Sequence, residues 1–95
     1  MRAKHKVVLG QLVTTSAGRD IGCSFVVVGI EAPNFVRLAD GRSHSIDKPK
    51  RKNVRHVKIL GTIPQSLVEK LQRGLSLTNE ELRQAVAYLI KPDNN

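Results

Sequence analysis

The side chains best able to do chemistry in this chain form a run of cations from Lys48 to Lys58. The run holds six Lys or Arg residues and no acid in eleven positions. Such a density of like charge repels itself unless an anion lies alongside, and each cation that contacts a phosphate steepens the salt dependence of binding. We therefore expect this segment to bind a nucleic-acid backbone, with Arg51 and Arg55 as the better bidentate donors. The alternatives are an unstructured, solvated loop or a chance match to a nuclear-localisation signal.

The excess of positive charge lies in the first part of the chain. Lys and Arg number 16 against 8 Asp and Glu. Residues 61–95 contain equal numbers of each sign, so the whole excess falls in residues 1–60, where a polyanion would bind. A basic protein without such a ligand would be expected to spread its charge over both parts. The candidate binding side chains are Arg2, Lys4, Lys6, Arg19, Arg42, Lys48, Lys50, Arg51, Lys52, Arg55, His56 and Lys58.

Other kinds of site lack the residues they need. His5, His44 and His56 are far apart in the sequence, and Cys23 is the only thiol. No pair of Cys or His residues has the spacing of a zinc site, so we predict no metal. The loop Ser16–Gly22 lacks the Gly-Lys-Ser/Thr ending of a nucleotide-binding loop. With no nucleophile beside a base, we expect no catalytic residue, no cofactor and no small-molecule substrate.

Aromatic side chains are scarce, with only Phe25, Phe35 and Tyr88 in the chain. The apolar neighbours of Phe25 and Phe35 predict that both rings belong to the core rather than to a surface on which bases stack. Binding of single strands by rows of stacked bases is therefore disfavoured. Recognition of the shape and phosphates of a folded RNA fits this composition better.

The length and cysteine content of the chain limit its architecture and surroundings. Ninety-five residues suffice for one domain. No apolar stretch is long enough to span a membrane, and the basic start lacks the apolar region of a secretory signal. A single cysteine excludes an internal disulfide, which favours a reducing, cytoplasmic location.

Residues 10–61 have the pattern of a small β-barrel. Short β-branched and apolar runs alternate with loop residues, and Asp40-Gly41 is typical of a two-residue hairpin turn. A strand after that turn would be polar and end at Lys48-Pro49, because proline cannot donate to a ladder. Five strands this close together favour a partly open barrel. The predicted strands are Gln11–Thr15, Cys23–Glu31, Phe35–Ala39, Arg42–Ile46 and Val54–Leu60.

Residues 62–91 have the pattern of two short helices. The first is predicted to begin with Thr62 as its cap and to end at Gly74. The second is predicted to begin with a capping box between Thr78 and Glu81 and to end at Lys91-Pro92. Each apolar stripe is too narrow for an isolated helix, so the pair must pack on the barrel or on another protein.

The segment from Gly10 to Val36 resembles the KOW motif, an RNA-binding pattern built around a fixed glycine. The likeness extends over roughly residues 8–60 and is strongest to the short KOW-domain RNA-binding proteins of Gram-positive bacteria. These in turn are similar to the fourteen-e type of large-subunit ribosomal protein. The matching pieces are Gly10-Gln-Leu-Val13, Ser16-Ala-Gly-Arg-Asp20 with Gly22, Phe25-Val-Val-Val-Gly29, Ala39-Asp-Gly41 and Asp47-Lys-Pro-Lys-Arg-Lys-Asn53.

The resemblance implies an SH3-like barrel of five strands that binds structured RNA, commonly ribosomal RNA, without catalysis. Gly10, Gly18 and Gly22 would be its motif glycines. For Gly18 and Gly22, positive φ in a turn is an equally good explanation. Members of the group usually carry cations where this chain has Ile21 and Cys23. Arg19 is therefore the only cation of the loop, and the main contact is expected from residues 48–58.

These observations predict a mainly β protein with three parts: a basic tail at residues 1–9, the barrel at 10–61 and a two-helix hairpin at 62–91. We expect an RNA-binding protein whose partner is ribosomal RNA or the large ribosomal subunit, with the helices 62–91 available for a protein contact. One alternative is a peptide-binding SH3-like module, although such modules use aromatic grooves. Another is a transcription-associated factor that acts on polymerase or on a duplex.

Overall fold

The computed structural model describes residues 7–18 and 22–90 and shows a mainly β protein. Five strands form one antiparallel sheet in the order β4-β3-β2-β1-β5. Two helices follow it, so the predicted arrangement of a small β-sheet and two C-terminal helices is confirmed. The elements are β1 (Gln11–Thr15), β2 (Ser24–Glu31), β3 (Phe35–Ala39), β4 (Lys50–Asn53), a 3-10 helix (Val54–His56), β5 (Val57–Thr62), α1 (Gln65–Gln72) and α2 (Asn79–Ile90).

The sheet is open, but it is strongly curled. Its two outermost strands, β4 and β5, are joined by only the three residues of the 3-10 helix. Four inter-strand spacings would separate these strands by about 19 Å in a flat sheet. Even a fully extended link from Asn53 to Val57 reaches only about 14 Å. The sheet must therefore bend until its two edges approach each other.

Each face of the sheet carries its own apolar cluster, because successive strand residues point to opposite sides. One cluster includes the fully buried Phe25 and no residue of α1 or α2. Val54 of the link between β4 and β5 packs against it, so it lies on the side towards which the edges curl, and we call it the concave cluster. The other cluster joins Leu12, Val26 and Ala39 of the sheet to the apolar stripes of α1 and α2. The helices therefore pack on the convex face of the sheet. Of the two predicted possibilities, packing on the strands is confirmed, rather than packing only on another protein.

The end of α1 and the start of α2 follow the sequence closely. Gly74 has φ 83°, and the N–H groups of Gly74 and Leu75 donate to the carbonyls of Leu71 and Lys70, which completes a Schellman motif. At the start of α2, the Glu81 N–H donates to Thr78 Oγ1 at 3.0 Å. The Thr78 N–H in turn donates to Glu81 Oε1 at 2.9 Å. The predicted capping box is confirmed.

The predicted start of α1 is wrong. Thr62 pairs with Gln11 as the last residue of β5, so it cannot serve as a helix cap. The helix begins at Gln65 after Pro64, and no side chain caps it.

Neither α1 nor α2 is long or apolar enough to cross a membrane, and the described residues include no other helix that could.

The predicted hairpin at Asp40-Gly41 is also wrong, and residues 42–46 form no strand. The Asp40 carboxylate accepts hydrogen bonds from the backbone N–H groups of Arg42 at 2.8 Å and His44 at 3.0 Å. These contacts coil the chain into an Asx-type turn. The strand that pairs with β3 comes later, as β4, so the fourth strand lies within the basic run rather than before it.

Glu81 makes the junction between the helices sensitive to acid. Lys70 Nζ donates to Glu81 Oε2 at 2.8 Å, and this contact, with the bond from the Thr78 N–H, holds the pKa of Glu81 below its usual value of 4.5. A lowered carboxylate pKa stabilises the fold above the unfolded-state pKa, and that stability is lost as the pH falls through the folded-state pKa.

We expect Glu81→Gln to lower the free energy of unfolding by roughly 0.5 kcal/mol at pH 7. The difference should shrink as the pH falls through the lowered pKa of Glu81, because the wild-type carboxylate is then protonated. Urea unfolding at pH 7 and at a series of acidic pH values measures this. Glu80→Gln is the control, since its carboxylate accepts from Gln84 and not from Lys70. A Glu81→Gln deficit that persists at low pH would contradict the assignment.

Candidate nucleic-acid interface

The basic segment, residues 48–58, is ordered as β4, the 3-10 helix and the start of β5. Residues Lys50–Asn53 of the segment form β4. Asn53 begins the 3-10 helix, where its Oδ1 accepts from the Arg55 N–H at 3.0 Å. The segment therefore runs from one edge of the curled sheet to the other and presents its cations along that path.

Register separates the side chains of β4. Lys50 pairs with Leu38 and Lys52 with Val36, and both partners belong to the concave cluster. Directly paired residues share a face, so these two lysines lie at the margin of the concave side. Arg51 lies between them and faces the other way.

Ser16 and Gly18, at the start of the loop Ser16–Gly22, lie against the basic segment. The Ser16 N–H donates to the His56 carbonyl at 2.9 Å. A Cβ on Gly18 would come within 2.8 Å of Lys52 Nζ, and Gly18 has φ 93°. The structure thus brings together the two segments that sequence patterns had singled out separately.

Some predicted residues fall outside the described part of the chain or away from this junction. Arg2, Lys4, Lys6 and Arg19 lie outside the described residues, as do Asp20 and Ile21. Of the motif glycines, Gly10, Gly18 and Gly22 all have positive φ, as their turn role predicts. Gly22 also closes the loop, since its N–H donates to the Thr15 carbonyl at 3.0 Å.

Arg42 lies on the separate loop between β3 and β4, which α2 holds in place. The Asn79 side chain accepts from the Ile46 N–H at 2.7 Å, and Arg83 Nη1 donates to the Gly41 carbonyl at 2.7 Å. Arg42 itself is exposed. Asn79 and Arg83 were missed from the sequence, because their targets lie more than thirty residues away and no local pattern marks them.

Four cations of the basic segment have no acidic partner among residues 7–18 and 22–90. Three of them are exposed, and Lys52 is half-buried beside Gly18. Clustered cations without acidic partners produce a positive potential that attracts phosphates. These four are Lys48, Lys52, Arg55 and Lys58.

Arg51 is placed differently from the rest of the segment. Its Nε donates to Glu31 Oε1 at 2.8 Å, and its Cζ lies 3.8 Å from the centroid of the Phe35 ring. Arg37 binds the other oxygen of Glu31. The two arginines hold the pKa of Glu31 below its usual value, with Arg51 contributing most. We call Glu31, Phe35, Arg37 and Arg51 the arginine cluster.

The arginine cluster corrects one sequence prediction and adds two residues. Phe25 is fully buried as predicted, but Phe35 is only half-buried and is covered by Arg51. Glu31 and Arg37 were not singled out. Their opposite charges on either side of the Pro33-Asn34 turn were a usable signal, because a hairpin there makes them diagonal neighbours, with Glu31 paired to Phe35 and Arg37 to Gly29.

The remaining surfaces have less distinctive chemistry. A groove of about 380 Å³ between α1 and α2 is lined by residues that include Leu67, Ala85 and Tyr88. A protein contact through the helices therefore stays a prediction. The described residues contain no group of three His, Cys, Asp or Glu that could hold a metal ion.

The comparisons with known proteins provide no family for the chain. No family model matches it, and no curated protein is similar enough to count as a relative. Its function must therefore be argued from the basic segment, the loop Ser16–Gly22 and the arginine cluster.

Proposed function

We propose that this protein is a non-enzymatic, cytoplasmic RNA-binding protein that associates with the ribosome, and that its curled sheet is an SH3-like barrel of the KOW kind. The barrel proposal is supported by the separate apolar cluster on the concave face. It is also supported by the short link between the two edge strands. Both features are typical of a small sheet that hides its edges by curling.

The observation that carries the RNA proposal is the junction between the loop Ser16–Gly22 and the basic segment. Lys52 Nζ lies against Gly18, and the backbone of His56 is bonded to Ser16. A phosphate backbone that crosses this junction would meet lysines and arginines whose charges no acid neutralises within the described residues. Each such contact releases counterions from the nucleic acid and so favours binding.

A folded RNA is a better partner than an extended single strand. Phe25 is buried, so the sheet has no row of exposed aromatic rings on which successive bases could stack. The cations are instead spread over a strand, a helical turn and a second strand, an arrangement that matches phosphates on a curved RNA surface.

Sedimentation of the tagged full-length protein through a ribosome gradient tests the ribosomal assignment. At about 0.1 M salt we expect the protein to migrate with the large subunit, and at about 0.5 M salt to be released. Prior RNase treatment should move it to the top of the gradient. Migration at the top in low salt would contradict the ribosomal proposal. Co-purified nucleic acid that is lost to DNase and survives RNase would favour the transcription-associated alternative.

A further inference from the structure

We propose that Arg51, stacked on Phe35 and fixed by Glu31, is a platform on which one unpaired RNA base stacks. This inference rests on the proposed RNA-binding function and makes it more specific. It assigns the arginine cluster to a base rather than to a phosphate. Phosphates are assigned to the four cations of the basic segment that have no acidic partner among the described residues.

The geometry leaves one face of the guanidinium for a ligand. Phe35 covers the other face, with 3.8 Å between Arg51 Cζ and the ring centroid. The Arg51 side chain is nevertheless 58% exposed. Guanidinium planes, like aromatic rings, are surfaces on which unstacked RNA bases pack. A base on the open face would complete a three-layer stack of ring, guanidinium and base.

The guanidinium is held in position before any ligand arrives. Glu31 Oε1 accepts from Arg51 Nε at 2.8 Å, and the other carboxylate oxygen is bound by Arg37. Exposed ion pairs of this kind add little to stability. Their effect is to restrict a long, flexible side chain, which lowers the entropy lost on binding. The Nη groups of Arg51 have no hydrogen-bond partner within residues 7–18 and 22–90, so they remain available to the edge of a base or to a ribose.

Charge decides between a base and a phosphate. The Glu31 carboxylate lies in direct contact with both guanidinium groups and offsets one of their two positive charges, so a phosphate gains less here than at a cation without an acidic partner. A neutral base loses nothing by this offset. The cations without acidic partners, which suit phosphates better, lie elsewhere on the segment. On β4 itself, neighbouring side chains point to opposite faces, so an RNA strand along this edge could place its phosphates near Lys52 and a base on Arg51.

The test compares two RNA hairpins that differ by a single bulged nucleotide. The first has 2-aminopurine as its bulge, and the second is fully paired. We expect the full-length protein to bind the bulged hairpin about tenfold more tightly, as one stacked base would provide. We also expect binding to quench the 2-aminopurine fluorescence.

Arg51→Lys keeps the charge but removes the flat guanidinium. It should abolish both the preference for the bulged hairpin and the fluorescence quenching. Its affinity for the paired hairpin should stay within about twofold of wild type. Arg55→Lys is the matched control, because it makes the same change four residues away without a stacked ring, and it should leave the preference intact. Phe35→Leu should act like Arg51→Lys. Thermal unfolding checks that each variant is folded.

The outcomes separate the two proposals. If the paired hairpin binds but the bulged one gains nothing, or if Arg51→Lys and Arg55→Lys behave alike, the platform is wrong and RNA binding stands. If neither hairpin binds even at low salt, both the platform and the RNA-binding function are overturned.

Discussion

Replacing Lys48, Lys52, Arg55 and Lys58 together by Gln should lower the affinity for RNA at least about a hundredfold at 0.1 M salt. These four side chains have no acidic partner among the described residues, so each is available to a phosphate. The plot of log affinity against log salt should lose about three units of slope, since each phosphate contact contributes nearly one. Filter binding or fluorescence anisotropy over a series of salt concentrations measures both effects.

Two controls separate charge from folding and from position. Replacing Lys48, Lys52 and Lys58 by Arg and Arg55 by Lys keeps every charge. This variant should preserve the slope and keep the affinity within about threefold. Arg73→Gln removes a cation from the end of α1, in the charge-neutral part of the chain, and should have almost no effect. An unchanged slope in the fourfold Gln variant would show that the basic segment does not contact phosphate.

Gly10→Ala should cost about 3 kcal/mol of stability. Gly10 has φ 86°, and a Cβ there would lie 2.7 Å from Val68 Cγ2. Val68 is a buried residue of α1. The Gly10 backbone is itself fixed, because its N–H donates to Val27 at 2.9 Å and its carbonyl accepts from Ile63 at 3.0 Å. The variant thus combines about 1–2 kcal/mol of backbone strain with a similar cost of overpacking.

Gly22→Ala is the matched control for this prediction. Gly22 also has φ 86°, but apart from its chain neighbours no atom of the described residues lies within 4 Å of its Cβ position. Only the backbone strain of about 1–2 kcal/mol should remain. In a Val68→Ala background, Gly10→Ala should lose most of its overpacking cost, which a double-mutant cycle measures. Equal losses in Gly10→Ala and Gly22→Ala would show that α1 does not pack closely on Gly10.

Much of the fold could be predicted where the signal is local. Strands β1 and β3 have the residues that alternation indicated, and the capping box at Thr78 lies where four consecutive residues specify it. The errors occur where distant residues decide. Asp40-Gly41 has the composition of a hairpin, yet its loop is held by Asn79 and Arg83 of a helix formed much later in the chain. Similarly, Thr62 has the composition of a cap, but its pairing with Gln11 keeps it in the sheet.

The candidate interface shows the same division. The density of cations in residues 48–58 was visible at once, because charge requires no structure to be counted. Which of those cations remain available was not visible. Arg51 is bound by Glu31, a residue of β2. The two side chains come within reach because β3 pairs with both β2 and β4 and so holds these strands in one sheet. Strand order and register determine that contact, and neither can be obtained from composition.

The position of α1 and α2 on the convex face has a consequence for synthesis of the chain. All five strands are complete at Thr62, but the cluster that buries Leu12, Val26 and Ala39 also needs apolar side chains of α1 and α2. At typical translation rates, the roughly 30 residues between the end of β5 and the end of α2 take about 1.5 to 6 s to add. During that interval the convex side of the nascent sheet is only partly covered, so the two helices also protect the strands made before them from aggregation.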